Sequence, residues 1–319
     1  MKLPPMKWVT LALLACVLIL PGCTRQEQQK SGKLQVVTTL YPLYDFAKRI
    51  GGDKAQVSLL LPPGVEPHSF EPRPENVVRV NRADLFIYTS PIMEPWAEKI
   101  IAGLDPGKVV VVEGSKGIAL LQAPQDDEHG GHGDQHHGEA GGKGGALDPH
   151  VWLDLDNARL MAENILAALV ARDPSNSAYY KGNAAKLTGE LAALDKRFQE
   201  TLAETPKKTM LHGGHYAFGY LARRYGIKYV SASAVNADAE PTPARLVELV
   251  KLMRREKLSY VFTEELLSPR VAETIARETG AQVLMLRAGH NVTRDELEGG
   301  VSFISIMEEN LRNLKTGLR

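Results

Sequence analysis

A proline-free stretch near the middle of the chain constrains the fold most strongly. From Ser175 to about Glu204 there is no proline, and apolar residues recur at helical spacing. These residues are Leu187, Leu191, Leu194, Phe198 and Leu202. A helix of about 28 residues would be about 42 Å long, well above the average helix length. We interpret it as a strut that joins two lobes.

The alternative for this stretch is two ordinary helices with a break near Gly182 or Gly189. A single glycine costs only about 1 kcal/mol inside a helix. We therefore favour one unbroken helix.

Apolar strands alternate with amphipathic helices on both sides of the strut. Before it, strands are predicted at 33–40, 57–61, 85–88 and 109–112, the last of them buried, and helices at 45–50, 76–82, 96–101 and 157–172. After it, strands are predicted at 209–211, 227–231, 260–263 and 282–286, and helices at 217–224, 243–255, 269–278 and 300–314. This alternation predicts an α/β fold: two lobes with mostly parallel sheets joined by one long backbone helix.

The first 23 residues are typical of a secretory signal. Lys2 and Lys7 precede an apolar run from 8 to 20, which is too short for a membrane span of about 20 residues. The ending Leu-Pro-Gly-Cys at 20–23 resembles a bacterial lipobox, which predicts lipidation of Cys23. An uncleaved anchor helix is the alternative. We expect a polar tether at 24–33, an N-terminal lobe at 34–173, the linking helix at 174–205 and a C-terminal lobe at 206–319.

Cysteine and charge exclude some classes of site. Both cysteines, Cys16 and Cys23, lie in the predicted signal, so the mature protein has no disulfide and no thiolate ligand. The formal net charge is 0, and loss of residues 1–22 removes Lys2 and Lys7 and makes it −2. We therefore expect no nucleic-acid partner, because such proteins carry a basic patch.

Four of the nine histidines lie in one glycine-rich segment at 126–145. They are His129, His132, His136 and His137. The stretch from 113 to 147 has almost no apolar periodicity, so we expect a mobile loop that cannot bury a core. Its histidines could act as an auxiliary metal-binding loop, and a tolerated low-complexity insertion is the alternative.

Four other histidines follow the carboxyl ends of predicted strands, two in each half. They are His68, His150, His215 and His290. Ligands of such sheets bind beyond the carboxyl ends of the strands, so the four imidazoles can meet between facing lobes. Neutral imidazole is the commonest protein ligand for Zn²⁺. The placement predicts one divalent metal site in the interlobe cleft.

Several residues near these loops have open roles. Three roles are open for His212: an alternative metal ligand, a hydrogen-bond partner behind the ligands, or a side chain that only packs at the end of the strand. Four neutral imidazoles leave the ion's charge uncompensated, so carboxylates are expected behind them to fix the imidazole tautomers. The candidates are Glu66, Asp148, Glu264 and Glu265, and the sequence does not rank them.

Several motifs together resemble one known family. They are G-V-E-P-H-S-F-E-P at 64–72, D-P-H-V-W-L-D at 148–154, H-Y-A-F-G-Y-L-A-R-R-Y-G at 215–226 and M-E-E-N-L-R-N-L at 307–314. From about residue 33 to the end, the chain resembles the cluster A-I solute-binding proteins, the ZnuA, AdcA and TroA-like metal-binding lipoproteins of zinc and manganese ABC importers. The resemblance implies that His68, His150 and His215 bind the metal, and that one long helix bridges two α/β lobes.

The fourth ligand position departs from the family, which usually has Asp or Glu there. His290 occupies it in this chain; Asp295 or a water molecule are the alternatives, and we expect His290. A fourth imidazole suits Zn²⁺ better than Mn²⁺, which prefers oxygen donors. We therefore expect Zn²⁺ as the ligand, with Mn²⁺ as the alternative.

The resemblance also implies partners and a location. We expect a monomer, lipid-anchored on the extracytoplasmic face of the cell membrane, that delivers zinc to an ABC permease with its cytoplasmic ATPase. A zinc hydrolase is less favoured because neither H-E-x-x-H nor G-x-S-x-G occurs, so we do not expect an enzyme. A surface adhesin is the remaining alternative. Because the strut is long and rigid, we expect modest lobe movement or local loop ordering on metal binding.

Overall fold

The computed structural model describes residues 32–123, 146–235 and 240–319. The predicted signal at 1–23, nearly all of the tether and the His-rich loop at 126–145 lie outside the described residues. Among the helices of the described ranges, none is long and apolar enough to cross a membrane.

The N-terminal half forms a four-stranded parallel sheet. In chain order its elements are β1 (Leu34–Thr38), α1 (Tyr41–Gly51), β2 (Ala55–Leu59), α2 (Pro74–Val80), β3 (Leu85–Tyr88), α3 (Ala97–Ala102), β4 (Val110–Glu113), β5 (Leu121–Gln122), β6 (Leu147–Asp148) and α4 (Leu155–Arg172). The strand order is β2-β1-β3-β4, and all three pairings are parallel. The carboxyl ends of these strands therefore share one edge of the sheet, from which the loop carrying His68 departs.

A single helix, α5 (Ser177–Ala203), joins the two halves. Its buried residues are Tyr180, Ala184, Leu187, Leu191, Leu194, Phe198 and Leu202, which repeat every three or four positions and form one stripe. Gly182 and Gly189 have open space around them, and the helix continues through both. The prediction of one unbroken helix is confirmed.

The C-terminal half repeats the alternation. Its elements are β7 (Thr209–His212), α6 (Gly219–Tyr225), β8 (Lys228–Ser231), α7 (Pro243–Arg255), β9 (Tyr260–Thr263), α8 (Arg270–Thr279), β10 (Gln282–Met285), α9 (Arg294–Glu298) and α10 (Phe303–Gly317). The strand order is β10-β9-β7-β8, again all parallel. The predicted α/β fold with two parallel sheets is confirmed.

The two halves share one hydrophobic core. Helix α5 packs on α1 and α4 from the first half and on α6 and α10 from the second. The largest buried cluster accordingly runs from Val36 in β1 through Phe198 in α5 to Phe303 in α10. A second cluster lies around β7, β9, α7 and α8. Wide separation of the halves would expose part of the shared core, which disfavours a large hinge motion.

Two predictions about the first half need correction. The segment 109–112 was predicted to be buried, but β4 is an edge strand with Val110 46% and Val111 37% exposed. An apolar run alone does not distinguish a central strand from an edge strand. The stretch from 113 was predicted to be mobile, yet β5 pairs antiparallel with β6 and Ser115 and Ala123 are buried. Ordered structure therefore continues to Ala123 on one side of the undescribed segment.

Candidate metal centre

Four imidazoles from both halves meet in one place. One ring nitrogen from each of His68, His150, His215 and His290 lies within 4.8 Å of the other three. Nε2 of His150 is 3.2 Å from Nε2 of His68 and 3.3 Å from Nε2 of His215. The structure thus brings together all four histidines singled out in the sequence. Asp295, the alternative for the fourth position, lies exposed in α9.

His150 is held by an acidic residue two positions before it. Oδ1 of Asp148 accepts hydrogen bonds from the backbone N–H of His150, at 3.0 Å, and from its Nδ1, at 2.8 Å. Both side chains are fully buried. Because Nδ1 carries the proton in this bond, the lone pair of Nε2 faces the centre of the cluster.

His215 has the same arrangement with a partner distant in sequence. Oε1 of Glu264, directly after β9, accepts from Nδ1 of His215 at 2.8 Å and from its backbone N–H at 3.1 Å. The hydroxyl of Tyr229 donates to the His215 carbonyl at 3.0 Å. Two imidazoles, one from each half, are therefore oriented by buried carboxylates in equivalent ways.

The other two candidate carboxylates have different roles. Glu265 accepts from the backbone N–H groups of Ala288 and Gly289, at 2.9 and 2.5 Å, and so shapes the turn before His290. Glu66 accepts from the backbone N–H of Ser69 at 3.0 Å. The structure therefore separates the four acids that the sequence could not rank: Asp148 and Glu264 contact imidazoles.

Two glycines make room for these carboxylates. A methyl group at Gly214 would overlap Oε1 of Glu264, and one at Gly219 would lie 2.5 Å from Oδ2 of Asp148. Both glycines belong to H-G-G-H-Y-A-F-G at 212–219. Any larger residue at either position would displace a group that orients an imidazole.

Burial keeps most of the cluster neutral. Burial, together with the charge of His215, lowers the pKa of His68 to about 4. Burial and the neighbouring imidazoles hold the pKa of His150 and of His290 well below the usual value. Three imidazoles thus offer free lone pairs at neutral pH, as a metal requires.

His215 differs because a carboxylate faces it. Burial would lower the pKa of His215, but the charge and hydrogen bond of Glu264 outweigh burial and raise it. Burial likewise acts to raise the pKa of Glu264, and the charge of His215 outweighs it, so that pKa is lowered. Burial raises the pKa of Asp148 to about 7. The cluster can therefore take up protons at His215 and Asp148 when no metal is bound.

His212 lies outside the cluster. Its ring is fully buried against Phe218, and its Nδ1 accepts from the backbone N–H of Gly214 at 3.3 Å. Its Nε2 makes no hydrogen bond to any described residue. Of the three roles considered for His212, this position favours packing at the strand end.

Nε2 of His290 is also buried without a hydrogen bond to any described residue. A buried nitrogen with no partner is costly, and a metal ion among the four imidazoles would satisfy it. The four nitrogens could hold one divalent ion in the tetrahedral geometry that zinc prefers. Fold and cluster together define a two-lobed α/β protein with four clustered imidazoles that could hold a single metal ion.

Comparison with known proteins assigns the family. Residues 36–317 match the family described as zinc-uptake complex component A periplasmic, ZnuA. The chain is 37% identical to the high-affinity zinc uptake system protein ZnuA of Bacillus subtilis strain 168, over 98% of each chain. The chain belongs to the ZnuA family.

A further relative matches in both sequence and structure. The chain is 38% identical to the zinc-binding lipoprotein AdcA of Streptococcus pneumoniae serotype 4, over 97% of this chain but only 61% of that protein's length. The crystal structure of the Zn(II)-bound ZnuA-like domain of Streptococcus pneumoniae AdcA superposes with a TM-score of 0.75 at 36% identity, covering 90% of this chain and 99% of that one. The fold is therefore shared with a solved domain that binds zinc.

Proposed function

We propose that this protein is the extracytoplasmic zinc-binding component of an ABC importer, and that His68, His150, His215 and His290 bind the ion. The observation that carries the proposal is the convergence of four imidazole nitrogens within 4.8 Å. Its family membership and the zinc-binding names of its relatives support the same assignment.

Charge balance supports a divalent ion at this position. Four neutral imidazoles contribute no charge, so an ion of charge +2 needs compensation in a buried site. Asp148 and Glu264, both buried and bonded to Nδ1 atoms of the cluster, supply two negative charges when ionised. The ion and the two carboxylates then sum to zero.

Binding is proposed rather than catalysis. A catalytic zinc usually has three protein ligands and keeps a fourth position open for water. Four imidazoles fill a tetrahedral shell and leave no such position. The protein would therefore carry zinc as cargo, with a lipid anchor at Cys23 and with an ABC permease and its ATPase as partners, as a monomer on the extracytoplasmic face of the cell membrane.

The role of the His-rich loop stays a prediction. His129, His132, His136 and His137 lie outside the described residues, between β5 and β6 in the sequence. We propose that this loop collects ions weakly, because its glycine-rich composition offers histidines but almost no apolar residues to bury around an ion. It is not required for the tight site.

Competitive metal titration tests the function. We expect the protein without residues 1–23 to prefer Zn²⁺ to Mn²⁺ by on the order of 100-fold or more, because imidazole suits zinc and manganese prefers oxygen donors. In His290→Glu, which replaces one imidazole with a carboxylate, that preference should shrink. A chromogenic chelator measures both affinities.

The matched control for this titration is the variant lacking residues 126–145, which should keep the tight site. Equal or tighter binding of Mn²⁺ by the unmodified protein would contradict the proposal. Loss of tight zinc binding on deletion of 126–145 would contradict it as well.

A further inference from the structure

The segment that carries His290 is bonded into the N-terminal half. The His290 carbonyl accepts from the backbone N–H of Tyr41, at the start of α1, at 2.9 Å. Two residues earlier, the Ala288 carbonyl accepts from Nε1 of Trp152 at 2.8 Å. Residues of the N-terminal half therefore hold His290, a proposed ligand from the C-terminal half, in position.

Asn291, the next residue, makes the reverse connection. Its side chain is fully buried. Nδ2 donates to the carbonyls of Pro62 and Val65, at 2.8 and 2.9 Å, while Oδ1 accepts from the backbone N–H of Val292 at 2.9 Å. One amide group therefore uses both of its N–H bonds to hold a turn of the other half.

That turn is the base of the loop that carries His68. Val65 donates its N–H to the Pro62 carbonyl at 3.2 Å, and Gly64 has a φ of +80°, as expected for the third residue of a type II turn. The N–H of Gly64 in addition donates to the Val292 carbonyl at 2.9 Å. Three hydrogen bonds between this turn and residues 291 and 292 therefore hold the turn in place, and the turn ends three residues before His68.

Beyond the turn, the loop is held from the other side. The Pro67 carbonyl accepts from Nε1 of Trp96 at 2.9 Å. The loop that carries His68 is therefore held by two contacts, one with Trp96 in its own half and one with Asn291 in the opposite half. The second contact links its position to that of His290, which adjoins Asn291.

We propose that Asn291 is a positioning residue, which sets the place of His68 relative to His290 and so completes the metal shell. This inference rests on the proposed zinc site. Asn291 touches no metal; it acts through His68. Replacing Asn291 with alanine removes the two N–H donors that bond the carbonyls of the turn. The His68 loop is then no longer held in position relative to the C-terminal half.

A double-mutant cycle on the complete mature chain tests the inference. Asn291→Ala is expected to weaken zinc binding about tenfold, at the low end for groups that orient ligands. In a His68→Ala background the same change should cost nothing further, because the residue through which Asn291 acts is gone. Competition with a chelator for zinc alone supplies the affinities.

Asn164 provides a matched control, since its Nδ2 likewise donates to two carbonyls, those of Gly114 and Lys116, both at 2.9 Å. Asn164→Ala should leave zinc affinity unchanged. The visible absorption of bound Co²⁺ gives a second readout: the Asn291→Ala spectrum should move toward that of His68→Ala, and the Asn164→Ala spectrum should not. If Asn291→Ala does not fold, Asn291→Leu, which is close in size and has no hydrogen-bond donor, takes its place.

Unchanged affinity in a folded Asn291 variant would overturn the inference, and so would a tenfold loss that persists in the His68→Ala background. Failure of the unmodified protein to bind zinc tightly is a separate result, which would contradict the proposed function instead.

Discussion

Replacing His150 with alanine is expected to weaken zinc binding about 100-fold or more. Its imidazole is the most central, with Nε2 within 3.3 Å of Nε2 of both His68 and His215. Structural zinc sites with four ligands have apparent binding free energies of about 10–16 kcal/mol, so one ligand contributes on the order of 3 kcal/mol, or about 100-fold. Chelator competition on the folded variant measures the loss.

His212→Ala is the control for this experiment, because His212 is an equally buried imidazole three residues before His215. Its removal should change zinc affinity by much less than the loss of His150. If the two substitutions weaken binding equally, the ligand set is wrong. If His150→Ala binds as tightly as the unmodified protein, the cluster is not the site.

Zinc binding at pH 5.5 is expected to release about two protons, and affinity should fall by up to about 100-fold per pH unit on the acid side. The folded protein without metal holds one proton at His215, whose pKa is raised by Glu264, and one at Asp148, whose pKa is about 7. Zinc takes the place of the proton on Nε2 of His215, and the charge of the ion favours the ionised form of Asp148, which contacts Nδ1 of His150. His68, with a pKa of about 4, is already neutral at this pH and contributes none.

The sign of the pH effect follows from these shifts. A raised pKa means that the proton is bound over a wider pH range, so zinc competes with it at every pH below that pKa. Calorimetry in buffers of different ionisation enthalpy counts the protons. Glu264→Gln and Asp148→Asn should each reduce the release by one. A release of three or four protons, or an affinity that is constant from pH 5 to 7.5, would contradict the assignment.

Sequence periodicity predicted the parts of the fold that are long or fully buried. Strands β3 and β9 and helix α7 begin and end at the predicted residues. The apolar stripe of α5 was predicted from Leu187 to Leu202, and the structure extends it to Tyr180 and Ala184. Shorter elements were missed: β5 and β6 have two residues each, and α9 has five. Such short elements span little more than one period, so no repeating pattern can be read from them. Helix α1 begins four residues before the predicted start because Pro42 occupies its first turn.

The four histidines could be singled out from the sequence because strand ends of parallel sheets meet at one edge. Of their supports, Asp148 and Glu264 were among four candidate carboxylates that the sequence could not rank, and Asn291 was not singled out. The partner of His215 is Glu264, which is 49 positions away, and Asn291 reaches across 229 positions to Pro62. Nothing local marks such pairs. The one available signal was the glycine pair Gly214 and Gly219, which leaves space for the two carboxylates.

The most direct test is a crystal structure of the variant lacking residues 126–145, with one equivalent of zinc and anomalous data at the zinc edge. The proposed zinc site predicts one strong peak about 2.0–2.1 Å from a ring nitrogen of each of the four histidines, His68, His150, His215 and His290. A peak elsewhere on the protein, or four imidazoles with no metal between them, would contradict it.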